Sequence, residues 1–121
     1  MPCGYQGSVY LVPLDVRTVM TVIGFLSTAP VTESSMAADV AAAVEAIDET
    51  DVSYEVGPMG TTIEAESMDE LLHAVKVAHE AIDADRVSTL LKVDDDRTRQ
   101  RRAVEKVEAV EDHLGRPSKR E

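Results

Sequence analysis

Val22, Ile23, Phe25 and Leu26 belong to an apolar run of strand length that spans residues 20–27 and stops at Ser27-Thr28-Ala29-Pro30. Beyond it the period lengthens. Ala37, Val40, Ala41, Val44 and Ile47 recur at the spacing of one helix face, with Ser34 or Ser35 as the N-cap and Asp48 to Asp51 breaking the pattern. Val52, Tyr54 and Val56 then alternate with Ser53 and Glu55, which predicts a strand over 52–56. Gly57-Pro58-Met59-Gly60 supplies turn chemistry, and residues 61–66 alternate again, with Ile63 and Ala65 opposite Thr62, Glu64 and Glu66. Two strands joined this closely form a hairpin. Ser67, with Glu70 three residues on, has the capping-box pattern of a second helix whose apolar face is Leu71, Val75, Ala78 and Ile82. Residues 86–93 predict a fourth strand with Val87, Thr89, Leu91 and Val93 on one side, ended by Asp94-Asp95-Asp96. Finally Ala103, Val107, Val110 and Leu114 stripe a charged tail helix that Gly115 and Pro117 close.

The order of these elements decides the fold class. Strand, helix, hairpin, helix and strand make an α+β, ferredoxin-like βαββαβ domain with a four-stranded antiparallel sheet and an additional C-terminal helix. Right-handed crossovers put strands one and three in the centre and the first two helices on one face. The other face is left open. It would carry Thr62, Glu64 and Glu66 from strand three and Ser88, Leu90, Lys92 and Asp94 from strand four. Val22, Gly24 and Leu26, or their neighbours, would complete it from strand one. The apolar content of strand one favours covering by another subunit, so a homodimer or homotetramer through this sheet face is expected.

At 121 residues the chain has room for one domain, placed at 20–114 between an N-terminal extension, 1–19, and a polar tail, 115–121. Residues 1–19 hold Pro2, Gly4, Gly7 and Pro13 without a clear period, and Met20 is read as the native start. Residues 19–29 imitate a signal sequence, but the basic flank is a lone Arg17 near Asp15 and the run is too short to span a bilayer. A core strand is the better reading, and the protein is expected to be cytoplasmic, with no membrane partner. Net charge is -11, unevenly spread: residues 1–96 carry 18 acidic and 4 basic side chains, residues 97–121 carry 5 and 8. Such an acidic body repels phosphate backbones and excludes general nucleic-acid binding. The same acidity suits a high-salt, halophilic cytoplasm. Cys3 is the only cysteine, so no intramolecular disulfide forms.

Nothing in the chain spells out catalysis. His73 and His79 lie six apart on one helix, about 240° around its axis, and cannot share a metal. His113 stands alone, and no HExxH or CxxC spacing occurs. No catalytic residue, metal or cofactor is therefore expected. Glu64 is the most informative single residue. At the middle of a central strand it is either a solvent-facing glutamate or, once covered, an anchor for a cationic ligand or for Lys92. The turn at Met59-Gly60-Thr61-Thr62 is either an ordinary hairpin end or a place where main chain and hydroxyls meet a heteroaromatic ring. Arg97, Arg99, Arg101 and Arg102 oppose the dipole at the tail helix start, and pairing with the acidic body explains them more simply than a nucleic-acid arm.

Three stretches, taken in order, resemble the thiamine-binding-protein family of small ferredoxin-like domains. They are Ser34-Ser35 with Ala37 to Ile47, Tyr54 to Glu64, and Leu91 to Arg97; Met68 to Leu72 and Val75 to Ala81 match the family's second helix. The resemblance spans about residues 20–114. It implies subunits associating through their sheets and a site for thiamine or its hydroxymethylpyrimidine moiety. On this sequence the family's hairpin motif falls on Met59, Gly60, Thr61, Thr62 and Glu64, its helix-start hydroxyl on Ser34 or Ser35, and its strand-four motif on Lys92 and Asp94. Tyr54 is the aromatic of the motif region. The expected function is non-catalytic binding, as a carrier or sensor; the alternative is an oligomeric structural or regulatory module with no small-molecule ligand.

Overall fold

A computed structural model describes residues 21–119, so the expected extension at 1–19, Met20 as a start, and the last two tail residues lie outside the described residues. The elements follow one another as β1 (Val22–Pro30), α1 (Ala37–Asp48), β2 (Ser53–Val56), β3 (Thr61–Ala65), α2 (Met68–Glu80), β4 (Val87–Asp94) and α3 (Ala103–Leu114). The four strands form one antiparallel sheet in the order β2-β3-β1-β4. This is the ferredoxin-like arrangement, with β1 and β3 central.

Most element boundaries fall within one or two residues of the sequence reading, and two features depart from it for physical reasons. β1 does not stop at Ser27 but runs on to Pro30, because β4 offers partners all the way: Ser27 faces Leu90, Thr28 faces Thr89, and Pro30 faces Val87. The Val31 N–H donates to the Arg86 carbonyl at 2.8 Å just past the pair. Long-range pairing thus overrides a locally turn-like sequence. The first helix is not capped by Ser34 or Ser35; Met36 holds the N-cap position and has no side-chain cap. Ser34 instead bonds to Thr32 through their hydroxyls at 3.1 Å, and the Ser35 Oγ accepts from the Ala37 N–H at 3.3 Å. Both serines organise the loop ahead of the helix. α2 begins as its sequence announces, since the Ser67 Oγ accepts from the Glu70 N–H at 3.1 Å. The Glu70 carboxylate reaches back to the Glu66 N–H at 3.2 Å, one residue before the cap.

Strand parity sorts the side chains. Val22, Gly24, Leu26 and Thr28 of β1 and Thr61, Ile63 and Ala65 of β3 are buried under the helices. Ala43 and Ile47 of α1 and Leu71, Ala74 and Ala78 of α2 meet them. Ile47, Ile63 and Leu71 are the largest fully buried side chains, and each contributes about 1.5–3 kcal/mol of transfer free energy. Gly24 is required by this packing, because a Cβ there would lie 2.7 Å from the Leu71 Cδ1. α3 stands apart: none of its residues is buried, and Gly115 ends it in the left-handed conformation at φ 74°.

Ile63→Ala is expected to lower the unfolding free energy by about 2–5 kcal/mol. Gly24→Ala, which forces Leu71 off its position, should lower it by about 1–3 kcal/mol. Urea denaturation of both variants checks these values.

Candidate functional site

The residues singled out in the sequence divide between two places on opposite faces of the sheet. The first is a pocket of about 150 Å³ on the helix side, where the β2–β3 hairpin meets β1 and the start of α1. The Gly57 N–H donates to the Gly60 carbonyl at 2.8 Å and closes the turn. Gly60 lies so near β1 that a Cβ would stand 2.7 Å from the Leu26 carbonyl oxygen and 2.5 Å from the Phe25 Cζ. Only glycine lets the main chain come this close. Thr61 and Thr28, each more than nine-tenths buried, are among the pocket's lining residues. The Thr28 Oγ1 is bonded to the Thr89 Oγ1 at 2.6 Å. The buried Thr61 hydroxyl makes no hydrogen bond with another described residue. Met36 and Met59, both exposed, flank the opening with adaptable apolar side chains.

The second place is the open face. There Ser53, Glu64, Ile23 and Asp94 form one cross-strand row, and Glu55, Thr62, Phe25 and Lys92 form the next. α3 stands over this face, and a groove of about 750 Å³ runs between them, walled by Ile23, Phe25, Val104 and Val107 with Lys92 at its rim. Charges hold the helix in place. The Arg102 Nη2 donates to the Glu64 Oε1 at 2.8 Å, the Ala103 N–H donates to the Glu64 Oε2, and Lys106 pairs with Asp94. The Arg102 N–H also donates to the Glu105 carboxylate at 3.1 Å. At the other end Glu111 accepts from the Ser118 N–H at 2.7 Å and from its hydroxyl at 2.8 Å, folding the tail back to the groove. Burial pushes the Glu64 carboxyl up, but the hydrogen bonds from Arg102 and Ala103 and the guanidinium charge outweigh it. The net effect holds Glu64 below the usual carboxylate range.

The candidate residues are therefore not one cluster. Met59, Gly60 and Thr61 line the hairpin pocket, while Thr62, Lys92 and Asp94 line the groove and Glu64 anchors the start of α3. Tyr54 points to neither. It faces the helix side, and its hydroxyl donates to the Asp48 carboxylate at 2.9 Å, which holds the phenol above its ordinary value. Ser34 and Ser35 stay in the exposed loop before α1. The partner of Glu64 is Arg102, not Lys92. The arginine-rich start of the tail thus pairs with the acidic body of the same chain, and Asp95 and Asp96 also pair locally with Arg97 and Arg99. Sequence reasoning missed Thr28, placed past the expected strand end, and Met36. The alternation of β1, continued two residues further, would have found Thr28. Among the described residues no group of His, Cys, Asp and Glu could hold a metal ion, and no helix is long and apolar enough to cross a membrane.

The open four-stranded sheet, with two helices on one face and a separate helix over the other, defines a small ferredoxin-like domain. The chain belongs to the thiamine-binding protein family, whose sequence pattern matches residues 25–111. It is 49% identical to a UPF0045 protein of Methanothermobacter thermautotrophicus over 84 residues, which covers 67% of this chain and 85% of the relative. A hypothetical protein of Methanocaldococcus jannaschii has a similar crystal structure, with a TM-score of 0.69 and 31% identity over 74% of this chain and 95% of that one. A Thermotoga maritima protein, provisionally assigned to thiamine biosynthesis or salvage, superposes with a TM-score of 0.64 and 26% identity, covering 74% and 98% of the two chains.

Because Glu64 is more acidic folded than unfolded, its contribution is complete above the ordinary value of about 4.3 and is lost as pH falls through the lowered one. Hydrogen exchange is expected to show the α3 amides losing protection in that acid range before the β1 and β3 amides do. At neutral pH, Glu64→Gln should loosen α3 in the same way without unfolding the sheet.

Proposed function

We propose that this protein binds thiamine or its hydroxymethylpyrimidine part without transforming it, as a cytoplasmic carrier or sensor, and that the aminopyrimidine ring enters the hairpin pocket. The observation that carries this reading is the buried Thr61, whose hydroxyl bonds to no other described residue, in the lining of a pocket sized for one ring. A cavity of about 150 Å³ accommodates a benzene-sized molecule. The ring nitrogens of a pyrimidine accept hydrogen bonds, and the Thr61 hydroxyl has a proton to give. Met36 and Met59 at the opening supply soft apolar contact for the rest of the ligand. The net charge of -11 favours the thiazolium cation over a neutral analogue. Membership of the thiamine-binding protein family supports the same ligand class.

A second reading, an assembly module with no small-molecule ligand, is favoured by one other observation. Leu90 on the open face and Val104, Val107 and Val110 on α3 are all at least half exposed. A homodimer or homotetramer through the sheet face would cover part of this apolar surface. The two readings separate by ligand response: the second requires an oligomer in sedimentation and no heat on titration with thiamine.

Calorimetric titration with thiamine and with hydroxymethylpyrimidine, at low and high potassium chloride, is expected to give saturable binding. Thr61→Val should weaken it by about tenfold, through loss of one hydrogen bond. The same variant should leave the unliganded protein as stable or slightly more so, because it removes a buried hydroxyl that bonds to no other described residue. Unchanged affinity in Thr61→Val would refute the placement of the ring.

A further inference from the structure

We propose that His79 is a positioning residue for the hairpin pocket. Acting through Thr89, it turns the Thr28 hydroxyl so that its oxygen faces the occupant, and this selects a heteroaromatic ring bearing an exocyclic amino group. The inference rests on the binding reading above and names the ligand group that one wall recognises.

Three side chains from three elements form a single chain of hydrogen bonds. Thr28 of β1 lies on the pocket wall and is 9% exposed. Its Oγ1 is 2.6 Å from the Oγ1 of Thr89 on β4. The Thr89 Oγ1 is in turn 2.5 Å from the Nδ1 of His79, in the last turn of α2. His79 is exposed while Thr28 is buried, so the chain runs from solvent to the pocket.

Its direction follows from which His79 nitrogen carries the proton. Each threonine hydroxyl has one proton to donate. In a neutral imidazole with its proton on Nε2, Nδ1 is an acceptor, and Thr89 must donate to it. Thr89 then has no proton left for Thr28, so Thr28 donates to Thr89. The Thr28 proton is thereby used, and a lone pair is what it presents to the pocket. An amino group satisfies that lone pair; a carbonyl oxygen sets acceptor against acceptor. When Nδ1 carries a proton instead, the constraint lifts. His79 donates to Thr89, Thr89 can donate to Thr28, and the Thr28 proton is free to enter the pocket. A buried site built around one hydrogen-bond polarity rejects the ligand with the opposite one. Thr61, whose hydroxyl bonds to no other described residue, and Thr28 with its lone pair would then read an acceptor and a donor of an aminopyrimidine.

A merely structural role for the chain, pinning the end of α2 to β4, would alter stability and lower affinity for every ligand alike. The ratio between two ligands separates the cases. Calorimetry on the full chain would use hydroxymethyl aminopyrimidine and its deaminated, oxo counterpart. The unaltered protein is expected to prefer the amine by about tenfold, the worth of one hydrogen bond. Thr89→Val and His79→Phe should each bring the two affinities close together, and Thr89→Ser, which keeps the hydroxyl, should preserve the preference. A ratio unchanged in both Thr89→Val and His79→Phe would overturn the relay while leaving the pocket as a binding site. Binding of neither compound by the folded, unaltered protein would overturn the pocket reading and the relay's role with it. Nitrogen NMR of the His79 ring tests the relay without any ligand: a ring whose Nδ1 carries no proton is expected, and one protonated at Nδ1 refutes it.

Discussion

β1 is hydrogen-bonded along both of its edges, to β3 over Val22–Leu26 and to β4 over Ile23–Pro30, so its alternation is imposed on the whole sheet. A slip of one residue would turn every side chain of the strand to the other face. The same parity that buries Val22 and Leu26 against α1 and α2 brings Gly24 under Leu71 and Thr28 to the pocket wall. It also turns Ile23 and Phe25 to the groove beneath α3. Core, pocket and groove are thus three consequences of one register, and none can be shifted without the others.

Where structure is set by near neighbours, the sequence is a good guide. The alternation of Ser53 to Val56 and of Thr61 to Ala65, the Ser67 cap and the Gly115 stop each depend on contacts within a few residues. The four-stranded order follows from them together with the handedness of the crossovers. Features set by distant residues were not legible. Ser27 to Pro30 read as a stop because their partners, Val87 to Leu90, lie some sixty positions away. Ser34 and Ser35 read as caps because nothing local shows that the chain will spend them on its own loop.

The candidate site was legible as residues but not as a place. Met59 to Glu64 form a continuous motif, yet successive residues of a strand face opposite ways, so Thr61 and Thr62 diverge. A motif that crosses from turn to strand therefore supplies two surfaces, one on each side of the sheet. Glu64 was legible as a carboxylate in need of a partner, but Arg102 is 38 positions away, and only the fold brings them together. The acidic body and basic tail, which look like separate compositions, are two halves of one electrostatic contact.

That α3 is held by charge and not by packing has a bearing on how the chain is free to vary. Buried positions such as Ile63 and Leu71 tolerate few replacements, since volume and shape are both fixed by their surroundings. Val104, Val107 and Val110 are restricted less within one copy, since each is about half exposed even though Val104 and Val107 wall the groove. Within a single copy, drift to polar residues at these three positions would meet little resistance, whereas Arg102 and Lys106 would be held by their carboxylate partners. An apolar stripe that persisted among relatives would then record selection acting from outside the chain.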